Sequence, residues 1–205
     1  RLHQYGHIAR QMLIAAHFHM CFGQVDPIKG FRQTWVQLVF AHQPIGGGGL
    51  ISGIATAAKA LKPDIKVFGV EAAMYPCMHA ALNGKTPKMG GATIAEGIAV
   101  KEVGKITRQI AEQLVDDILL VEEEHLERAI TLYVDIEKTI AEGAGAAGLA
   151  ALLAHPTRFY GRKVGLVLCG GNIDTRLLAS VLTRALVREN RLARIRIIGD
   201  DRPGL

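Results

Sequence analysis

Gly46-Gly47-Gly48-Gly49-Leu50 stands between the apolar run Val36-Gln37-Leu38-Val39-Phe40 and the alanine-rich stretch Leu50 to Ala60. The first flank reads as a strand and the second as a helix. Glycines at such a junction carry no Cβ, so the backbone takes positive φ freely and its amides can converge. Added to the free N–H groups and positive dipole end of the following helix, those amides form a seat for a phosphate. The same spacing also suits a tight strand-to-helix turn packed against a neighbour, and spacing alone leaves both readings open.

Working outward toward the C-terminus, short apolar runs alternate with helical patterns. Lys66 to Glu71 reads as a strand, Tyr75 to Leu82 as a helix stopped by Asn83-Gly84, and Thr86 to Gly97 as a loop. Ile106 to Leu114 is helical in pattern and Asp117 to Val121 strand-like; a helix from about Glu123 to Ile140 follows, with Glu122, Glu123 and Glu124 at its positive end. Glu142 to Ala150 opens a helix of small residues. Lys163 to Leu168 is a buried-type strand ending in Cys169-Gly170-Gly171-Asn172, and Asp174 is placed to cap a helix running to about Asn190. Arg191 to Gly199 begins another strand. This alternation predicts an α/β fold with a mostly parallel sheet and helices on both faces. Ligands in such folds sit beyond the carboxyl ends of strands, where both Gly46–Gly49 and Cys169–Asn172 fall.

Composition narrows the function classes. With 205 residues at 49% hydrophobic content the chain can bury a core. No apolar stretch reaches the roughly 18 residues of a membrane span, and no leader-like pattern opens the sequence. Cys21, Cys77 and Cys169 lack paired spacing, which speaks against a disulfide framework and for a reducing cytoplasm. The net charge of +5 is unevenly distributed, with Arg1, Arg10, Lys29 and Arg32 at the start and arginines between Arg176 and Arg202 at the end; without interleaved aromatics or a known motif the latter read as a solvated face, not a nucleic-acid site. Residues 1–42 hold one acid, Asp26, and five of the eight histidines. His17, His19 and Cys21 invite a metal reading, but no second ligand pair follows at useful spacing.

Five blocks in order carry a resemblance: Pro44 to Gly53, Gly69-Val70-Glu71, Ala95 to Val100, Glu142 to Ala146, and Leu168 to Asp174. Together they resemble the threonine ammonia-lyases (threonine dehydratases), fold-type II pyridoxal-phosphate enzymes grouped with serine dehydratase and serine racemase. The likeness covers about Pro44 to Asn190, so residues 43–190 are expected to be a cofactor-binding α/β portion. Residues 1–42 fit no block and stay unassigned. Residues 191–205 look like the start of an ACT-like regulatory domain.

The resemblance implies roles. Gly46, Gly47, Gly48, Gly49 and Leu50 would hold the phosphate of pyridoxal phosphate through backbone amides. Cys169 would meet the pyridine nitrogen as a neutral thiol; on composition alone it reads equally as a small core residue. Glu96, Glu142 and Asn172 fall in site-lining blocks, and each acid also reads as a helix-start charge. Glu71 aligns with a cation ligand of the racemase-like members, but Cys77 at the partner position is a poor ligand for a hard cation, so no metal is expected. The activity implied is deamination of threonine or serine to 2-oxobutanoate or pyruvate and ammonia, in the isoleucine branch of amino-acid metabolism, usually by a dimer or tetramer.

One part of the pattern is missing. Relatives carry upstream of the glycines a Ser-x-Lys-x-Arg-Gly block whose lysine forms the Schiff base, and this sequence has none. Lys29 is the one lysine before the loop, and its neighbours do not match. Three possibilities follow: an ammonia-lyase, a non-catalytic binder of pyridoxal phosphate or an amino acid, and an inactive fragment needing a partner chain.

Overall fold

The computed structural model describes residues 40–193, 195 and 196. Four strands, β1 (Phe40–Pro44), β2 (Lys66–Ala72), β3 (Asp117–Val121) and β4 (Val164–Leu166), form one sheet in the order β3-β2-β1-β4. Every pairing is parallel, with Phe40 opposite both Lys66 and Val164, and Phe68 opposite Asp117. The helices are α1 (Gly49–Leu61), α2 (Cys77–Leu82), α3 (Lys105–Leu114), α4 (Glu123–Leu132), α5 (Gly143–Ala154), the short α6 (Pro156–Phe159) and α7 (Thr175–Arg188). The expected class, an α/β fold on a parallel sheet, is the one observed.

Strand β2 explains why helices cover both faces. Successive side chains point to opposite faces of a strand. Val67 packs on one side with Ile45, Ile51, Ala55 and Ala58, while Phe68, Val70 and Ala72 pack on the other with Leu126, Ala146, Leu149 and Ala150. A strand buried on both faces reads as a continuous apolar run. Helix α5 is correspondingly apolar all round, with residues 143–151 all buried. Its small residues let it lie close against the strand-tip loop: a Cβ at Gly145 would stand 2.5 Å from the Gly170 carbonyl oxygen.

Several boundaries differ from the sequence-based expectation. The first strand runs on to Pro44, and its expected start before Phe40 lies outside the described residues. β4 is limited to Val164–Leu166 because it pairs with β1 only as far as His42; Pro44, which stays in register with Val70 of β2, has no N–H to donate toward β4. The helix expected from Glu123 to Ile140 ends at Leu132 and passes into a π turn, Tyr133–Glu137. Lys138 takes the left-handed conformation (φ 54°) and the Thr139 N–H bonds to the Tyr133 carbonyl. This break turns the chain so that Ala141 enters the core and Glu142 reaches Gly170. Asp174 caps α7 as expected, accepting the N–H groups of Arg176 and Leu177. Residues 191–193, 195 and 196 form no strand, and the rest of the expected ACT-like strand lies outside the described residues. Among the described residues no helix is long and apolar enough to cross a membrane.

Candidate cofactor site

Beyond the carboxyl end of β1 lies a cavity of about 230 Å³. Pro44, Gly46, Gly47, Gly48, Gly49 and Leu50 form one side, and Gly97, Ile98, Ala144 and Cys169 the other. The glycine loop and the strand-tip cysteine, 119 positions or more apart in sequence, therefore share one space.

Gly48 caps α1 with φ 91°, a left-handed conformation in which a side chain is strained. A Cβ there would also lie 2.7 Å from Met78 Cε and 2.8 Å from Thr107 Oγ1. At Gly47 and Gly49 a Cβ would meet nothing within 4 Å. Two carbonyls of the loop have partners outside the cavity lining. Gly47 O accepts from Thr107 Oγ1 (2.7 Å) and the Gly104 N–H (3.3 Å), and Gly48 O accepts from the Ser52 N–H (3.0 Å). The N–H groups of residues 46 to 50 make no hydrogen bond to any described residue. Unused donors at the positive end of a 13-residue helix suit an anion.

On the opposite side Cys169 is half-buried. Burial first, and the Glu142 carboxylate second, push its thiol above the ordinary range, so it is neutral at pH 7. Glu142 sits at the entry to α5, where its N–H donates to Gly170 O at 3.2 Å. Its carboxylate also fills the space a Cβ at Gly170 would need.

Residues 37–170 match the family model described as pyridoxal-phosphate dependent enzyme. The chain belongs to the pyridoxal-phosphate dependent enzymes. Among curated proteins of this family, an L-threonine ammonia-lyase of Thermotoga maritima is 40% identical over 163 residues, covering 78% of this chain and 40% of the relative. One from Geobacter sulfurreducens is 44% identical over the same coverage. The processed threonine deaminase isoform 2 of Solanum lycopersicum superposes with a TM-score of 0.68 at 29% identity, covering 75% of this chain and 43% of that one. The chain thus spans about 40% of the length of the curated relatives it matches.

Within this pyridoxal-phosphate domain the remaining expected residues fall in different places. Glu142 approaches the cavity between Gly97 and Gly170, with Oε1 3.7 Å from where a Cβ on Gly97 would stand. Glu96 is exposed in the first turn of a 3-10 helix (Glu96–Ile98), and Asn172 is exposed beyond the strand-tip loop; neither lines the cavity. Glu71 is fully buried with both carboxylate oxygens engaged: its Oε1 accepts the Met78 N–H at 2.7 Å and its Oε2 the His79 N–H at 2.9 Å. Cys77 donates to the Val100 carbonyl. No cluster of three or more potential metal ligands occurs among the described residues. Lys29, His17, His19 and Cys21 lie outside the described residues.

Sequence reasoning missed Thr107 and Met78, which flank Gly48 from α3 and α2. Nothing local marks either residue. Gly97, Ile98 and Ala144 stood inside the quoted family blocks, so their spacing could have flagged them.

Proposed function

We propose that this chain is the cofactor-holding portion of an ammonia-lyase that acts on threonine or serine. The observation that carries the reading is the shared cavity, lined on one side by residues 46 to 50, whose amides are unused, and on the other by the neutral Cys169 thiol. The amides of Gly46, Gly47, Gly48, Gly49 and Leu50 hold a phosphate, and the open space at Gly47 leaves room for its oxygens. Cys169 presents a thiol to the ring nitrogen, and burial, with the Glu142 charge beside it, keeps that thiol protonated. Pyridoxal phosphate, when bound, supplies the electron sink that acidifies the α-proton of an amino acid. Elimination of water from a β-hydroxy amino acid would leave an enamine, and addition of water to its imine tautomer would release a 2-oxo acid and ammonia.

Among the described residues no lysine lines the cavity, so the amine and base of the reaction are supplied by residues other than those lining it. The same observation favours a second reading, a cofactor binder without turnover. Assembly as a homo-oligomer in the cytoplasm, in the isoleucine branch, accompanies the first reading by likeness to the threonine dehydratases.

Incubation with pyridoxal phosphate, borohydride reduction and peptide mass mapping test both. A cofactor adduct on one lysine together with release of 2-oxobutanoate from threonine supports the lyase. Reversible binding insensitive to borohydride supports the binder. Absence of any cofactor affinity overturns both.

A further inference from the structure

The Gly47–Gly48 peptide unit is held from behind. Its carbonyl oxygen is gripped by two groups from the start of α3, the Thr107 hydroxyl at 2.7 Å and the Gly104 N–H at 3.3 Å. A trans peptide is planar, so its C=O and N–H point in opposite directions. Anchoring the carbonyl toward α3 therefore aims the Gly48 N–H away from α3. Neither Thr107 nor Gly104 lines the cavity, whereas Gly47 and Gly48 do.

Glycine peptides rotate with little steric resistance, and a Cβ at Gly47 or Gly49 would meet nothing within 4 Å, so packing around those positions does not hold the loop. The loop therefore needs an external brace if its amides are to stay converged. Thr107 is that brace on three counts. Its hydroxyl lies 2.7 Å from Gly47 O, the shorter of its two acceptor distances, with Gly104 O at 3.0 Å. Its Cβ and Oγ1 bound the space at Gly48, opposite Met78. Its backbone carbonyl accepts the Ser52 hydroxyl of α1 at 3.3 Å, which ties α3 to the first turn of the helix the glycines open.

We infer that Thr107 is a positioning residue for the phosphate group, holding the Gly47–Gly48 peptide in the orientation that presents the Gly48 N–H to the anion. This rests on the phosphate-cradle reading above. Thr107 itself touches no ligand; it acts by making an orientation permanent that glycine alone leaves free.

The test uses the 1–205 chain and two aldehyde-free probes, pyridoxine 5′-phosphate and pyridoxine, which differ only in the phosphate and form no bond to lysine. Binding is measured by calorimetry for the parent, Thr107→Val and Thr107→Ser. Loss of one neutral hydrogen bond predicts that Thr107→Val weakens pyridoxine 5′-phosphate about fivefold to tenfold and leaves pyridoxine within about twofold. Thr107→Ser, which keeps the hydroxyl, restores the parent affinity. Thr107→Ala carries the same expectation as Thr107→Val and replaces it if the valine methyl against Gly48 prevents folding. The inference is overturned if the hydroxyl-free variant binds pyridoxine 5′-phosphate as the parent does, or if both probes weaken in parallel. A parent that does not distinguish the two probes overturns the phosphate cradle itself, a separate and recognisable failure.

Discussion

Glu142 and Gly170 meet twice: the Glu142 N–H donates to the Gly170 carbonyl at 3.2 Å, and the Glu142 carboxylate occupies the space that a Cβ on Gly170 would require. Gly170 has φ 103°, so its lack of a side chain is needed for backbone conformation as well as for room. The contact joins the entry of α5 to the loop that carries Cys169. It thereby sets one wall of the cavity.

Replacing Gly170 by Ala expels the Glu142 side chain and strains the backbone. Expected are a loss of roughly 1 to 3 kcal/mol in stability and weaker cofactor binding, read by urea unfolding and by titration with pyridoxal phosphate. An unchanged unfolding midpoint would show that the Glu142 side chain yields freely.

The two neighbouring loop glycines should respond differently. Gly47→Asp adds a side chain in open space, so the fold stays within about 0.5 kcal/mol of the parent while phosphate binding is lost by repulsion and filling. Gly48→Ala instead places a Cβ against Met78 and Thr107 in a left-handed conformation, and stability itself drops by about 1 to 2 kcal/mol. Thermal melts with and without pyridoxine 5′-phosphate separate the cases. A folded Gly47→Asp with parent affinity counts against the cradle.

Two buried groups impose opposite pH dependences on stability. His42 packs edge-on against Phe68 and Phe159, and burial lowers its pKa from 6.5 to about 4, against a weak bond to the Gly148 carbonyl. The unfolded chain binds this proton more readily, so stability is fully present above about pH 6.5 and falls toward pH 4, by on the order of 3 kcal/mol. Burial raises Glu71 from 4.5 to about 7, outweighing its bonds from His79 and Met78. Its contribution is fully present below pH 4.5 and is lost as pH rises through 7.

Between pH 4.5 and 6.5 these contributions cancel in part, and single variants expose each. His42→Leu removes the rise, so stability should fall as pH increases through this range. Glu71→Gln keeps one acceptor for two N–H groups, costs about 1 kcal/mol at acid pH, and leaves stability rising with pH. Denaturant unfolding at half-unit pH steps reads both slopes, and equal slopes in the two variants would refute the assignment.

Because burial and Glu142 hold the Cys169 thiol protonated, iodoacetamide should label the Cys169 peptide slowly at pH 7. Glu142→Gln should accelerate labelling a few-fold, roughly, by removing the negative charge, and pyridoxal phosphate should protect. Labelling unaffected by the cofactor would place Cys169 outside its site.

Much of this was legible in the chain. The alternation of β-rich runs with helical periods announced the parallel sheet, because period 2 and period 3.6 are properties of neighbouring residues. Both strand-tip loops were legible for the same reason: glycine runs after apolar strands mark junctions. The role of Glu71 was not legible, since an acid at the end of a strand is equally consistent with a cation site and with holding the N–H groups of Met78 and His79. The turn at Tyr133–Glu137 was hidden too, since residues 133–140 carry a helical pattern that the return of Ala141 to the core overrides.

The amino-acid sequence by itself determined the order of the elements, the family and the two loops that meet at the cavity. Local backbone freedom and hydrophobic period decide those, and both are short-range. Tertiary structure alone decided how the Gly47–Gly48 peptide is held, through Thr107 acting on Gly47 from 60 positions away, and how Glu142 packs against Gly170 beside the Cys169 that lines the cavity. A peptide plane has no preferred orientation until a partner distant in sequence grips one of its ends.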